Sequence, residues 1–576
     1  MKRLYPILTA LAVATTPVAV AQAAPSPSAL SRDELVEFTR IYDAIDSRQW
    51  DEATRLIDAA PQSPMASMAR AELFLAAGSP VVPMGALLAL LEDAPWLPHA
   101  EQLGRLAQKR GAQLLPDLPQ VQRFSWLGTA PQRGKPQSVG DAAAAAIAAQ
   151  VQERIKNDDP AGAEALVEAA SPAMSEQART EWRQRVAWSY YIENDDASAL
   201  RLADLARTGS GEWATQAQWV YALASWRAQH FAQAEAAFDS VAATASNDEM
   251  RAAAYYWGAR ASMAAGRPQM VQAKYQTAAQ FHETLYGILA AEALGIEPLA
   301  RKQAITARND WSAIQSAPNV KIAIGLAQIG RTALADGVLK HQAKIAGAEQ
   351  YRNLASLARA LGLPETQLYL AHYGPSGARP DSFARYPNAA WSPQGGWRVD
   401  QNLVFAHALQ ESRFQPAAQS PAGARGLMQV MPATARGMAA RRGGTVSETD
   451  LSNPSVNLEY GQSYLEMLRD MSQTEGLLPK VIAAYNAGPA PIGRWKTEVR
   501  DLGDPLLFIE SIPYAETRGY VANVLRNYWM YEQQQKPESA SRLGLAQNMW
   551  PRFPGLAGPA SVRINDPYKE DRLASR

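Results

Sequence analysis

Glu411 is the residue of this chain whose surroundings could support acid catalysis. It follows the run Val399 to Gln410, in which Leu403, Val404, His407 and Ala408 make an apolar stripe and Asp400 is placed to cap a helix. Phe414, Leu427, Met428 and Met431 come next, in a stretch broken by Pro416, Pro421, Gly423, Gly426 and Pro432. Those glycines and prolines make the chain fold back over the helix end. A carboxyl in apolar company is costly to ionise, so its pKa rises. A glutamic acid that keeps its proton is what cleavage of a glycosidic bond requires. Gln429 and Asn486 offer amide groups suited to N-acetyl and hydroxyl partners, and Tyr485 offers a ring face and a phenol. Residue types alone leave this reading open, because an isolated glutamate at a helix end is more often a solvated surface residue.

These side chains need four elements to hold them. The run ending at Glu411-Ser412 reads as a helix. Gly426-Leu427-Met428-Gln429 is a turn leading into a second helix, with Pro432 at an early position where its missing N–H costs little. Val481 to Tyr485 reads as a third helix, stopped by Gly488 and Pro489. Ile512-Pro513 opens a fourth, through Glu516-Thr517-Arg518-Gly519-Tyr520-Val521.

Upstream, Ser31 to about Gly362 reads as helix after helix, beginning with Ser31 and Glu34 in a capping-box arrangement. Ala222, Ser225, Ala228 and Phe238 recur as Ala259, Ser262, Ala265 and Tyr275, with a weaker copy beginning at Ala187. Small residues at fixed points of a helical hairpin let its helices pack closely, and such repeats read as a tetratricopeptide-like α-solenoid. The nearby aromatic residues, among them Trp188, Tyr191, Trp213, Trp219, Trp226, Tyr256 and Trp257, are expected to be core between helices rather than a sugar-stacking surface. The expected fold is all-α. It comprises a signal peptide (1–23), a superhelical domain of hairpins (24–373), a linker rich in Pro and Gly (374–396), a catalytic domain (397–545) and an extended tail (546–576).

Four motifs in order change the reading of Glu411. Glu411-Ser412, Gly426-Leu-Met-Gln429, Ala484-Tyr-Asn-Ala-Gly-Pro489 and Ile512-Pro-x-x-Glu516-Thr-Arg-x-Tyr520-Val521 together resemble the soluble lytic transglycosylases, relatives of the goose-type lysozyme fold. Ala254 to Arg260 and Leu285 to Gly295 look like the last repeats of that family's superhelical ring. The resemblance implies a lyase acting on peptidoglycan glycan strands. Glu411 would protonate the oxygen between N-acetylmuramic acid and N-acetylglucosamine, then act as base on the muramoyl 6-hydroxyl, leaving a 1,6-anhydromuramoyl end. The substrate's own N-acetyl carbonyl would assist, so no carboxylate nucleophile is needed, and no Asp stands at a spacing that clearly pairs with Glu411. Ser420 would bond the N-acetyl group. Gln429, Met431, Tyr485 and Asn486 would line the saccharide groove, and Glu516 would be a second pocket carboxylate. His407 departs from the aliphatic residue usual in the family one turn before the acid. It could tune the acid, although a packed or hydrogen-bonded histidine is the commoner outcome. Two other readings remain: a hydrolytic, lysozyme-like muramidase, and a non-catalytic scaffold that only grips glycan.

The bulk composition agrees. The 576 residues exceed what one core usually supports. Lys plus Arg and Asp plus Glu are 56 each, a balance that gives no argument for nucleic acid or anionic lipid as partner. With no cysteine, thiolate chemistry, disulfides and an N-terminal lipidated cysteine are excluded. The six histidines are scattered, so neither a metal nor another cofactor is expected. Lys2 and Arg3, the apolar Leu4 to Val20 and Ala21-Gln22-Ala23 have the layout of a cleaved secretory signal. No later stretch is apolar and long enough to span a bilayer. The expected location is the periplasm.

Overall fold

The computed structural model describes residues 27–298, 307–380, 382–441 and 443–565. The expected signal peptide therefore lies outside the described residues. Among those residues the chain is helical nearly throughout, and paired strands amount to two two-residue ladders. The first helix, Arg32–Asp46, carries the expected capping box between Ser31 and Glu34.

The repeated region is a series of antiparallel hairpins: Glu176–Ile192 with Asp196–Arg207, Gly211–Arg227 with Phe231–Thr244, and Asp248–Ala264 with Val271–Ala279. Asp195, Asn247 and Thr284 each cap the helix that follows. The recurring small residues Ala222, Ser225, Ala259 and Ser262 are all fully buried where helices cross. The aromatic residues fill the core as expected. Trp257 stacks on Phe238 at 5.9 Å and meets Trp226 edge-on at 5.4 Å, and Trp219 meets Phe238 at 5.3 Å. Trp188 and Trp213 are only partly buried and border a cleft toward Arg518 and Asn523.

Among the described residues two hydrophobic cores are formed, and neither follows sequence order. One joins the helices between residues 32 and 109 to those between 318 and 372. The other joins the hairpins to the region that carries Glu411. The Pro-containing segment 112–140 has no helix and spans both. Gln122 N–H donates to Lys344 O at 2.8 Å, and Ser125–Trp126 pairs with Tyr373–Gly374. Arg526 donates to Pro131 O at 2.5 Å. Arg133 forks onto the buried Glu510 at 2.5 and 2.8 Å, and Trp213 Nε1 donates to Gln137 O. The segment is thus a strap across the molecule.

The stretch 374–396 is packed rather than loose: Phe383 and Tyr386 are buried, and Arg385 pairs with Glu283 at 2.6 Å. The expected extended tail also folds back in its first half. Trp550–Pro551 pairs antiparallel with Ser561–Val562, Trp550 packs on Phe508, and Phe553 N–H donates to Gly476 O. Composition alone pointed to an extended tail. Two aromatic side chains give the segment enough apolar surface to bury, and burial holds it. Residues 566–576 lie outside the described set.

Removing Arg133 would strand the Glu510 carboxylate in the interior. Arg133→Ala is expected to cost roughly 3–5 kcal/mol of stability, read as a lowered midpoint in thermal unfolding.

Candidate active site

The acid helix, Gln401–Ser412, starts at Asp400, whose carboxylate accepts from Asn402 N–H. It ends at Arg413, in the left-handed conformation at φ 52°, followed by Phe414 at φ 60°. Two left-handed residues reverse the chain immediately after Glu411-Ser412. Ser412 Oγ then donates to Leu427 O at 2.7 Å, tying the helix end to the Gly-Leu-Met-Gln turn. Phe414, Leu427 and Met428 are fully buried, as the sequence suggested. Met431 is 41% exposed, so it cannot shield the carboxyl and faces open space beside the site.

The turn is built to one shape. Gly426 sits at φ 76°, and a Cβ there would fall 2.2 Å from Leu451 O and 2.3 Å from Asn457 Nδ2. Asn457, from the helix Pro454–Arg469, locks the turn: its amide donates to Arg425 O and Leu451 O and accepts from Met428 N–H at 2.8 Å. Gln429 is left-handed at φ 46°, and its Nε2 is used on Ala418 O and Gly426 O. Its carboxamide oxygen is left as the acceptor. Ser420 Oγ accepts from Ala424 N–H at 3.0 Å, which leaves its hydroxyl proton free to donate.

Two more helices close the pocket. Leu478–Ala487 brings Tyr485, whose hydroxyl donates to Met428 O at 2.8 Å. Gly488, at φ 81°, ends it. The long closing helix, Ala515–Gln535, brings Tyr520, whose hydroxyl donates to Glu411 Oε1 at 2.6 Å. Thr517 Oγ1 donates to Asn486 Oδ1 at 2.6 Å, and the Asn486 amide reaches the exposed Glu516 at 3.4 Å. Tyr485 and Asn486 thus work inward, holding the turn and the closing helix in place. Arg518 donates to Ile512 O at 2.6 Å and lies over Trp188 at 4.3 Å, on the side of that helix turned to the hairpins.

Burial pushes the Glu411 carboxyl up to about 7; the Tyr520 hydrogen bond opposes the rise and the Glu516 charge adds to it. The site therefore holds a carboxylic acid near the midpoint of its titration at neutral pH, beside a donor that stabilises its ionised form. Tyr520 was visible only as a letter of the fourth motif. Its position one turn after Glu516, on the same helical face, was the signal for it. Asn457 lies in no motif and carried none. Among the described residues, no group of His, Cys, Asp and Glu could hold a metal ion.

Comparison with known proteins agrees with this geometry. The transglycosylase SLT domain family matches residues 391–508. The soluble lytic murein transglycosylase of Escherichia coli K12 is 37% identical over 161 residues, 27% of this chain and 24% of that protein. The Salmonella typhimurium protein of the same description is 37% identical over 151 residues, 25% of this chain and 21% of its own. The matched stretch thus spans about a quarter of the length of these curated relatives. The fold likeness is longer. The 70 kDa soluble lytic transglycosylase of Escherichia coli aligns over 91% of this chain and 100% of its own at a TM-score of 0.52 and 20% identity. An inactive mutant of the lytic transglycosylase Slt from Pseudomonas aeruginosa aligns over 88% and 74% at 0.51 and 22%.

Tyr520→Phe removes a hydrogen bond to a charged group. Activity on cell walls is expected to fall about tenfold or more, with the alkaline limb of the pH profile moved upward because the ionised acid loses its donor.

Proposed function

We propose that this chain, whose residues 391–508 are a transglycosylase SLT domain and whose fold is that of the soluble lytic transglycosylases, cleaves peptidoglycan by non-hydrolytic transglycosylation. The observation that carries the reading is the half-buried Glu411, raised to about 7 and bonded to Tyr520 at the mouth of the four-motif pocket. In this reading Glu411 gives its proton to the oxygen joining N-acetylmuramic acid to N-acetylglucosamine. The muramoyl N-acetyl carbonyl supports the electron-poor anomeric carbon. Glu411, now ionised and held by the Tyr520 hydroxyl, takes the proton of the muramoyl 6-hydroxyl as that oxygen closes on the anomeric carbon. The product is a 1,6-anhydromuramoyl end, and the acid regains its proton for the next cycle. The lone acid and the exposed position of Glu516, in the first turn of the closing helix, favour this route over a paired-carboxylate hydrolysis.

The groove residues take these parts. Ser420 offers its free hydroxyl proton to the N-acetyl oxygen, and Gln429 offers its carboxamide oxygen to a sugar N–H or hydroxyl. Met431 supplies an exposed apolar contact. Tyr485, Asn486 and Glu516 fix the wall against which the sugar lies. The helices upstream of 374 act as a superhelical body, and the region 397–545 acts as the catalytic domain. The location that suits this substrate is the periplasm, reached through the N-terminal signal. No described helix is long and apolar enough to cross a membrane.

Glu411→Gln is expected to lose at least about a hundredfold in wall-digesting activity, and mass spectrometry of wild-type digests is expected to find anhydromuramoyl ends. Reducing ends in their place would make the enzyme a hydrolase, and unchanged activity of the variant would remove Glu411 from the chemistry. The acid must be protonated to start, so activity falls as pH rises through about 7. The same shift has a stability sign. Between the ordinary carboxyl range near 4.5 and about 7 the folded state holds a proton that the unfolded chain has lost, so wild-type stability declines across that window. Glu411→Gln is spared that decline, and its unfolding midpoint should exceed the wild type's above the window.

A further inference from the structure

A cleft of about 480 Å³ opens between the hairpins, the strap and the closing helix, a size that suits a few residues of peptide or a small organic ligand. One face of Ala515–Gln535 forms its helical wall. Ala515, Arg518, Gly519 and Ala522 recur there at three- and four-residue spacing. Glu516 and Tyr520, one position further on, belong to the adjoining face that serves Glu411. A Cβ added at Gly519 would meet nothing within 4 Å, so the wall faces open space.

The cleft carries more positive charge than its own carboxylates cancel. Arg133 is spent on Glu510, and Arg185 on Glu181. Arg518 lies over Trp188 at 4.3 Å and donates to Ile512 O, but it makes no ion pair among the described residues. Glu510 attracts it only from farther off. Burial draws its pKa down to about 10, as befits a cation short of a counter-ion. Lys135 and Lys156 also line the cleft, exposed and without ion pairs among the described residues. Glu249 lines it too, but burial pushes its carboxyl up to about 7, so its charge is only partly present at neutral pH. Gln184 is 8% exposed, and neither its carboxamide nor that of Asn523 has a hydrogen-bond partner among the described residues. A cation and amides withdrawn from water without partners are costly, and a ligand that matches them recovers the cost.

We propose that this cleft binds an acidic peptide, and that the peptide is the stem carried by the muramoyl residues of the substrate. Arg518 takes a carboxylate on its planar fork. Gln184 and Asn523 pair with peptide groups, and the partly buried Trp188 and Trp213 cover the aliphatic parts. A stem peptide offers that combination, free carboxylates set between amide bonds. Its reach also fits. The width of one helix, about 10 Å, separates the groove from the cleft. An extended chain covers about 3.3 Å per residue, so a stem leaving a sugar at Glu411 passes round the exposed Ala515-Glu516 end of the closing helix within its own length.

This inference rests on peptidoglycan being the substrate. Binding is therefore measured in the full chain carrying Glu411→Gln, where turnover does not intervene. Calorimetric titration with the tripeptide L-alanyl-γ-D-glutamyl-meso-diaminopimelate is expected to show saturable binding that weakens with salt. Amidating the carboxylates of the tripeptide, or adding Arg518→Leu, is expected to lower the affinity about tenfold or more. Because Arg518 also ties down Ile512, a second variant guards against misfolding. Gly519→Leu adds bulk at the open wall and favours the helix, and it is expected to abolish binding. In NMR spectra the indole N–H signals of Trp188 and Trp213 should move with the tripeptide. Absence of saturable binding, indifference to amidation, or binding kept by both variants would overturn the proposal. So would a chitin oligomer, free of peptide and carboxylate, that moves the same indole signals and displaces the tripeptide. Reducing ends in wild-type digests would instead reject the route proposed for Glu411 and leave peptide binding untouched.

Discussion

The half-buried carboxyl of Glu411 is the constraint from which the rest of the structure follows. An acid catalyst has to be dry enough to keep its proton and reachable enough to deliver it. Dryness comes from ending a buried helix at the acid and reversing the chain with two left-handed residues, so that Phe414, Leu427 and Met428 pack under the helix end. Reach comes from stopping the helix at Ser412, whose hydroxyl spends itself on Leu427 O and pins the turn that opens the groove. Each device would be costly alone. Together they hold a titratable group at a protein surface without letting water set its pKa.

The same constraint accounts for the rigidity of the surrounding framework. A proton donor misplaced by a fraction of an ångström loses much of its effect. Asn457, Tyr485 and the Asn486–Thr517 pair fix the turn and the closing helix by hydrogen bonds rather than by apolar contact alone. Those helices are in turn built into the hairpins. Glu510 receives both Arg133 and the Tyr286 hydroxyl, Arg260 pairs with Asp504 at 2.5 Å, and the Tyr191 and Ser511 hydroxyls meet at 2.8 Å. Buried pairs of this kind add little net stability, but they penalise any shift that separates them. The pocket is thereby held in one orientation against the helical body.

Much of this was legible in the sequence because it is local. The cap at Asp400, Pro432 in the first turn of its helix, the stop at Gly488 and the small-residue register of the hairpins each depend on a few neighbouring residues. Glu411 could be proposed as the acid because four short motifs stand in order. The rest depends on contacts distant in sequence. Nothing near residue 40 announces that the first helices share a core with residues 318–372, and Arg331 reaching Asp43 at 2.7 Å is a fact of tertiary folding. The prolines of the segment 112–140 bar helix there, but its role as a strap lies in its partners. Trp550 and Phe553 were hidden by the proline and glycine around them. Tyr520 was in plain sight, but a motif does not say which of its letters touches the acid.

The two carboxylates of the site divide their labour by environment. Glu411 lies in a pocket that favours the neutral acid. Glu516 is exposed in the first turn of the closing helix, where the helix dipole and solvent both suit a negative charge. That charge is close enough to push the titration of Glu411 upward, against the Tyr520 hydroxyl that draws it down. Glu516 thus helps keep the acid protonated without entering a buried pair that would compete for its proton. A second carboxylate placed as a nucleophile would have to sit across the anomeric carbon and stay ionised there. One placed on the rim and tethered to Asn486 can act through its field alone. In the proposed reaction one dry carboxyl suffices, because the substrate would bring its own nucleophile in the muramoyl 6-hydroxyl.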